Sequence, residues 1–300
     1  MSLEKKARLL IVPAAMPGKV MQVLTGTGQE LIEQGRIHLH RALKAPDGID
    51  IDTWVIKSGP RNDGRGGATE SSENHITKGT VILLHPLMTS KSWFLKLGGR
   101  LAANGWDVVL MDLRAHGRSG GRYITWGTKE KLDVLSGMDQ LLEEKAVREP
   151  IYVLGSSYGG TVAIQYAAMD PRCKGVIALG PPGGLNEIAR RILLLASRST
   201  VEAAVKRAGE IAGSDPEEAS AVKAAARLSC PLLLVHGWWD LIVPHSHSRA
   251  IMKAAAGPKK LKTLFFAGHA LEIGRERWLA GQVEILVGMS GPGPADGDRQ

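Results

Sequence analysis

The sequence predicts an α/β fold: a mostly parallel sheet with helices on both faces and a small helical cap. Three observations carry this. Short apolar runs, each the length of a buried strand, alternate with longer amphipathic segments. The chain's 300 residues are 44% apolar and 23% charged, which suits one large core rather than a disordered chain. No apolar stretch approaches the ~20 residues of a bilayer-spanning helix, so no integral membrane span is expected.

Residues 1–36 stand apart as an N-terminal segment. Their basic start and the run Leu9-Leu10-Ile11-Val12 have the outline of a secretory signal, but the run is short and broken by Pro13 and Pro17. Residues 37–43 and 49–56 alternate apolar with polar positions around Pro46-Asp47-Gly48 and predict an antiparallel hairpin. Residues 58–79 are glycine-rich and polar, the composition of a loop. Parallel strands are expected at 80–84, 108–111, 151–154, 175–179, 232–235 and 261–266. Between Gly180 and Pro231 the strand pattern lapses, and 185–229 reads as a helical cap inserted over one end of the sheet. Within it, Ser214-Asp215-Pro216-Glu217 resembles a cap followed by proline at the first helical position. The main domain then spans 37–290, and the Gly/Pro-rich residues 291–300 are expected to form a disordered tail.

Chemistry concentrates where strands end. Gly155-Ser156-Ser157-Tyr158-Gly159 follows one expected strand and opens a helix, the setting of a G-x-S-x-G nucleophile elbow; the alternative is a plain glycine-rich turn. The register selects Ser157 rather than Ser156. A serine hydroxyl needs a base, and the base an orienting acid. Asp240 and His269 follow the next-to-last and last strands, so the order Ser, Asp, His falls at the carboxyl ends of parallel strands, where open α/β sheets place their sites.

At these residues the chain resembles the α/β-hydrolase superfamily, in its branch of esterases, monoacylglycerol-lipase-like enzymes and serine aminopeptidases. The resemblance runs from about Ile37 to Met289. It rests on His85-Pro86-Leu87, Asp112-Leu-Arg114-Ala-His116-Gly117-Arg-Ser119, the elbow, His236-Gly leading to Asp240 and Val243-Pro244, and Gly268-His269. It implies an α/β-hydrolase fold and a serine carboxylic-ester hydrolase with Ser157, Asp240 and His269 as its catalytic residues. The backbone N–H groups of Tyr158 and Leu87 would form the oxyanion hole, with Pro86 standing where the family has glycine. Asp112, Arg114 and His116 are expected to be scaffold.

Ile188, Ile192, Leu193 and Leu195 recur at helical spacing and are expected to face the nucleophile, with Ile188 and Ile192 lining the substrate pocket. Trp238 and Trp239 either wall that pocket or pack under their loop. The expected substrate is a small acyl ester of short to medium chain. An aminopeptidase or amidase, with Glu187 near the pocket mouth, and a non-catalytic interaction protein of the same fold remain the alternatives.

No cofactor or metal is expected. The pairs His38/His40 and His245/His247 lack further ligands, and no lysine follows the glycine-rich elbow as it would in a phosphate loop. Net charge is +8, but Lys and Arg are interspersed with acids along the chain, which favours a solvated surface over nucleic-acid binding. Two cysteines, Cys173 and Cys230, exclude a disulfide scaffold and favour a reducing, cytoplasmic location with free thiols.

Overall fold

A computed structural model describes residues 1–13, 28–59 and 77–291. Most of the expected loop at 58–79 and of the tail at 291–300 lies outside them. The strands form one eight-stranded sheet in the order β1-β2-β4-β3-β5-β6-β7-β8. The hairpin strands β1 (Leu39–Lys44) and β2 (Asp50–Ile56) pair antiparallel, and β2 pairs antiparallel with β4 (Asp107–Met111). From β4 onward the sheet is parallel through β3 (Thr80–Leu84), β5 (Ile151–Ser156), β6 (Cys173–Leu179), β7 (Leu232–Gly237) and β8 (Lys259–Leu264). Every residue of β3, β4, β5 and β7 is buried, which is why these strands read as unbroken apolar runs.

Two cores result. The front core holds α1 (Leu3–Ile11), α4 (Glu130–Glu143), α5 (Tyr158–Ala167), α6 (Leu185–Ile192), α7 (Arg198–Ala212), α8 (Ala221–Ala225) and α9 (Ser246–Ala254); the back core holds α2 (Gly28–Glu33), α3 (Leu95–Ala103) and α10 (Glu276–Met289). Helix α5, directly behind the elbow, is buried along its whole length.

Three features differ from the sequence reading. The N-terminal segment is packed into the body: Ala7, Leu10 and Ile11 are buried in the front core, the Trp126 indole donates to the Leu10 carbonyl at 2.8 Å, and Leu31 and Ile37 are buried in the back core. Strand β8 stops at Leu264, so Phe265 and Phe266 are exposed loop residues rather than strand; β8 is an edge, and one neighbour does not extend the ladder further. Helix α6 ends at Ile192, which breaks the expected stripe: Leu193 is buried and Leu195 fully exposed. The cap read at Ser214-Asp215-Pro216-Glu217 is present: Asp215 caps the 3₁₀ turn Pro216–Glu218, with proline at its first position. Cys173 and Cys230 are buried free thiols lying side by side.

Candidate active site

The elbow is built by what cannot fit. A Cβ at Gly155 would run into the Gly159 carbonyl oxygen, and one at Gly159 into that of Leu84, so β5 can turn into α5 this tightly only with glycine at both positions. Ser157, between them, is held at φ 50 and ψ −117, a conformation costing about 1–3 kcal/mol that the surrounding packing must sustain. Its N–H donates to the Leu179 carbonyl at 2.7 Å, locking the turn onto β6.

Asp240 and His269 arrive from the loops after β7 and β8. The Ser157 Oγ lies 2.8 Å from His269 Nε2, and His269 Nδ1 lies 2.8 Å from Asp240 Oδ2. With Nδ1 carrying the proton toward the carboxylate, Nε2 is left to accept from the serine hydroxyl. Asp240 is itself fixed: its Oδ1 accepts from the N–H groups of Ile242 at 3.0 Å and Val243 at 2.8 Å. Burial raises its pKa, but the contacts with His236 and His269 and the Val243 N–H outweigh that and hold it well below the ordinary carboxylate range. The carboxylate is therefore charged wherever imidazole can act as a base.

Tyr158 contributes the first amide of α5, whose N–H no helical carbonyl accepts. The Leu87 amide sits in the loop after β3, and among the described residues no hydrogen bond engages it. That loop is braced from both sides. His85 Nε2 accepts from the Leu113 N–H at 3.0 Å, and His116 Nε2 accepts from the Met88 N–H at 3.3 Å. Asp112 accepts from Lys91 Nζ at 2.6 Å and from the N–H of Arg118 at 2.9 Å, while Arg114 grips Asp133 at 2.5 and 2.7 Å. These bonds make the 112–119 loop scaffold for the loop bearing Leu87.

Of the residues assigned to a pocket, Ile188 is buried in the front core and Ile192 half-buried against it. Trp238 and Trp239 are more than half exposed beside Asp240, not packed beneath their loop. The histidine pairs have other partners: His38 accepts from the Lys57 N–H, His40 meets Asp52, His245 meets Thr263 and His247 accepts from the Gly183 N–H. Among the described residues no group of His, Cys, Asp and Glu is arranged to hold a metal ion.

Two roles at the site escaped the sequence, where His236 reads only as a motif residue and Glu272 not at all. Buried His236 places Nε2 3.2 Å from Asp240 Oδ2 and 2.8 Å from the Val243 carbonyl. Glu272, also buried, accepts through Oε1 from the Ser156 hydroxyl at 2.8 Å and the Trp93 indole at 3.0 Å. Its position three residues after His269 was the available signal; its burial was not visible in sequence.

The family model described as serine aminopeptidase, S33, matches residues 75–224, half of the chain. That span includes Ser157 and stops short of Asp240 and His269. The chain is 25% identical over 260 residues to the uncharacterized protein YqkD of Bacillus subtilis (strain 168), covering 84% of this chain and 83% of that one. It is also 25% identical over 213 residues to a monoacylglycerol lipase of Mycolicibacterium smegmatis, covering 60% and 76%. The esterase Pf2001 of Pyrococcus furiosus superposes with a TM-score of 0.65 at 21% identity, over 93% of this chain and 97% of that one. With the sheet order, the elbow and the family match in agreement, the chain belongs to the α/β-hydrolase superfamily, in the serine aminopeptidase, S33 family.

Proposed function

We propose that this hydrolase cleaves carboxylic esters of short to medium acyl chains through an acyl-enzyme on Ser157. The observation that carries the reading is the relay from Ser157 Oγ through both nitrogens of His269 to Asp240, each link 2.8 Å. Ser157 Oγ attacks the ester carbonyl as its proton passes to His269 Nε2, and Asp240 balances the imidazolium. The N–H groups of Tyr158 and Leu87 receive the oxyanion. Collapse expels the alcohol, which takes the proton from Nε2. Water, deprotonated by the same nitrogen, then attacks the acyl-enzyme and releases the acid with Ser157 restored.

The relay suits esters and amides alike. The family description favours a second reading as an aminopeptidase, for which exposed Glu187 on α6 is the acid available to a substrate ammonium. The exposed apolar side chains flanking Asp240, Trp238, Trp239, Leu241 and Ile242, favour a neutral acyl substrate. Each methylene buried adds up to ~0.8 kcal/mol until the pocket is filled, so kcat/KM across p-nitrophenyl esters from C2 to C12 is expected to climb and then fall. Efficiency still climbing at C12, or aminoacyl amides cleaved faster than every ester, would overturn the ester reading.

A further inference from the structure

Apolar side chains stand uncovered on the loops that carry Asp240 and His269 and at the end of α6. Leu241 and Ile242 follow β7, Phe265 and Phe266 follow β8, and Leu194 and Leu195 follow α6; Phe266 is 98% exposed and Leu241 77%. The segments that bear them are tied together. The Trp238 ring lies 5.8 Å from that of Phe265, the Trp239 N–H donates to the Ala267 carbonyl at 3.1 Å, and Arg191 Nη2 donates to the Leu241 carbonyl at 2.5 Å, tying the end of α6 to the loop that carries Asp240. A concentration of exposed apolar side chains on linked loops marks a surface that meets something else.

Charge selects the partner. Beside the patch stand Arg191, whose guanidinium reaches the Leu241 carbonyl, Arg190 next to it and Arg249, against one exposed acid on α6, Glu187; Asp240 is buried on His269, and Arg198 and Lys223 are spent on Glu202 and Glu217. Arg190 and Arg191 are exposed at the end of α6 beside the patch. Arg249, exposed on α9, is close enough to His245 to add to the effect of burial and His236 in lowering its pKa, and the His245 ring meets Trp238 at 5.7 Å. Positive charge that looks dispersed along the whole chain is thus in excess here, three exposed arginines to one exposed glutamate. A protein partner presents mixed charge, whereas an anionic bilayer presents one sign over its whole area and accepts Phe and Leu at headgroup depth.

We propose that this patch docks the protein on an anionic lipid surface, so that apolar esters reach Ser157 directly from the lipid phase. This deepens the ester reading by naming where the substrate is presented. Docking is measured without turnover, so the two can fail separately.

The test is co-sedimentation of the full-length protein with vesicles of phosphatidylcholine alone and of phosphatidylcholine mixed equally with phosphatidylglycerol. Binding is expected to be at least about tenfold tighter to the anionic vesicles at low salt and to weaken as salt is added. Phe266→Ser with Leu194→Ser should weaken it by about tenfold while hydrolysis of a soluble short-chain ester is retained. Arg190→Gln with Arg249→Gln should flatten the salt dependence. Absence of binding to anionic vesicles, binding unchanged in these variants, or a dimer in sedimentation equilibrium that the Phe266/Leu194 variant dissolves in the absence of any vesicle binding would each overturn the proposal.

Discussion

Glu272 fastens the loop that carries His269 to the sheet. One carboxylate oxygen accepts from Ser156 at the end of β5 and from Trp93 in the loop after β3, so three segments that meet at the nucleophile share one anchor. Glu272→Ala is expected to lower kcat by about tenfold or more with KM little changed, since small displacements of a base are costly. Glu272→Gln, which keeps an accepting oxygen, should restore most of the rate. A folded Glu272→Ala protein with wild-type kcat would show that the anchor does not position the histidine. Ser157, Asp240 and His269 were legible in the sequence because each follows an apolar run that could only be a strand, and strand ends converge. The roles of Glu272 and His236 were not, because burial of a single polar side chain depends on how segments as distant as Trp93, Ser156 and Glu272 pack together. For the same reason Asp112 and Arg114 could be read as scaffold without the partners Lys91 and Asp133 being known.

Among the elements, α1 has the clearest energetic consequence. It packs against α7, with Glu4 meeting Arg207 at 2.9 Å at the surface and Ala7, Leu10 and Ile11 buried beneath. The exposed ion pair adds little, while the buried apolar face carries the stability. Leu10→Ala is therefore expected to destabilise the protein by about 2–4 kcal/mol, read from the urea midpoint, and Glu4→Ala by less than about 1 kcal/mol. Equal effects of the two would show that the helix is not held by its apolar face. This helix was hidden in the sequence because Leu9–Val12 is too short for helical periodicity to stand out. The strands, by contrast, announced themselves by being buried on both faces. The exception is β8, whose apolar run continues into Phe265 and Phe266 after the ladder has ended, so the run overstates the strand. Leu195 fails for a related reason: its spacing continues the periodicity of α6, but the helix has already ended.

At the scale of the whole molecule, buried histidines are expected to limit stability in acid. Burial first, and then the neighbouring charge of His116, push His85 down to about 3. Burial lowers His116 and His247 as well. Below pH 6.5 the unfolded chain takes up protons that these folded-state imidazoles refuse, so their contribution is complete above that pH and is lost as the pH falls. His85 alone removes about 2 kcal/mol at pH 5 relative to neutrality. Asp133, which burial raises to about 6 in spite of Arg114, acts in the opposite sense but is one group against several. Urea unfolding is expected to give a lower midpoint at pH 5 than at pH 7; an equal or higher midpoint would show that these imidazoles titrate in the folded state. The account as a whole turns on Ser157. Treatment with a fluorophosphonate probe, followed by peptide mass mapping, tests this most directly. The account predicts a single adduct on the peptide containing Ser157, with labelling abolished in Ser157→Ala and retained in Ser156→Ala. An adduct on another residue, or undiminished labelling of the Ser157→Ala protein, would contradict it.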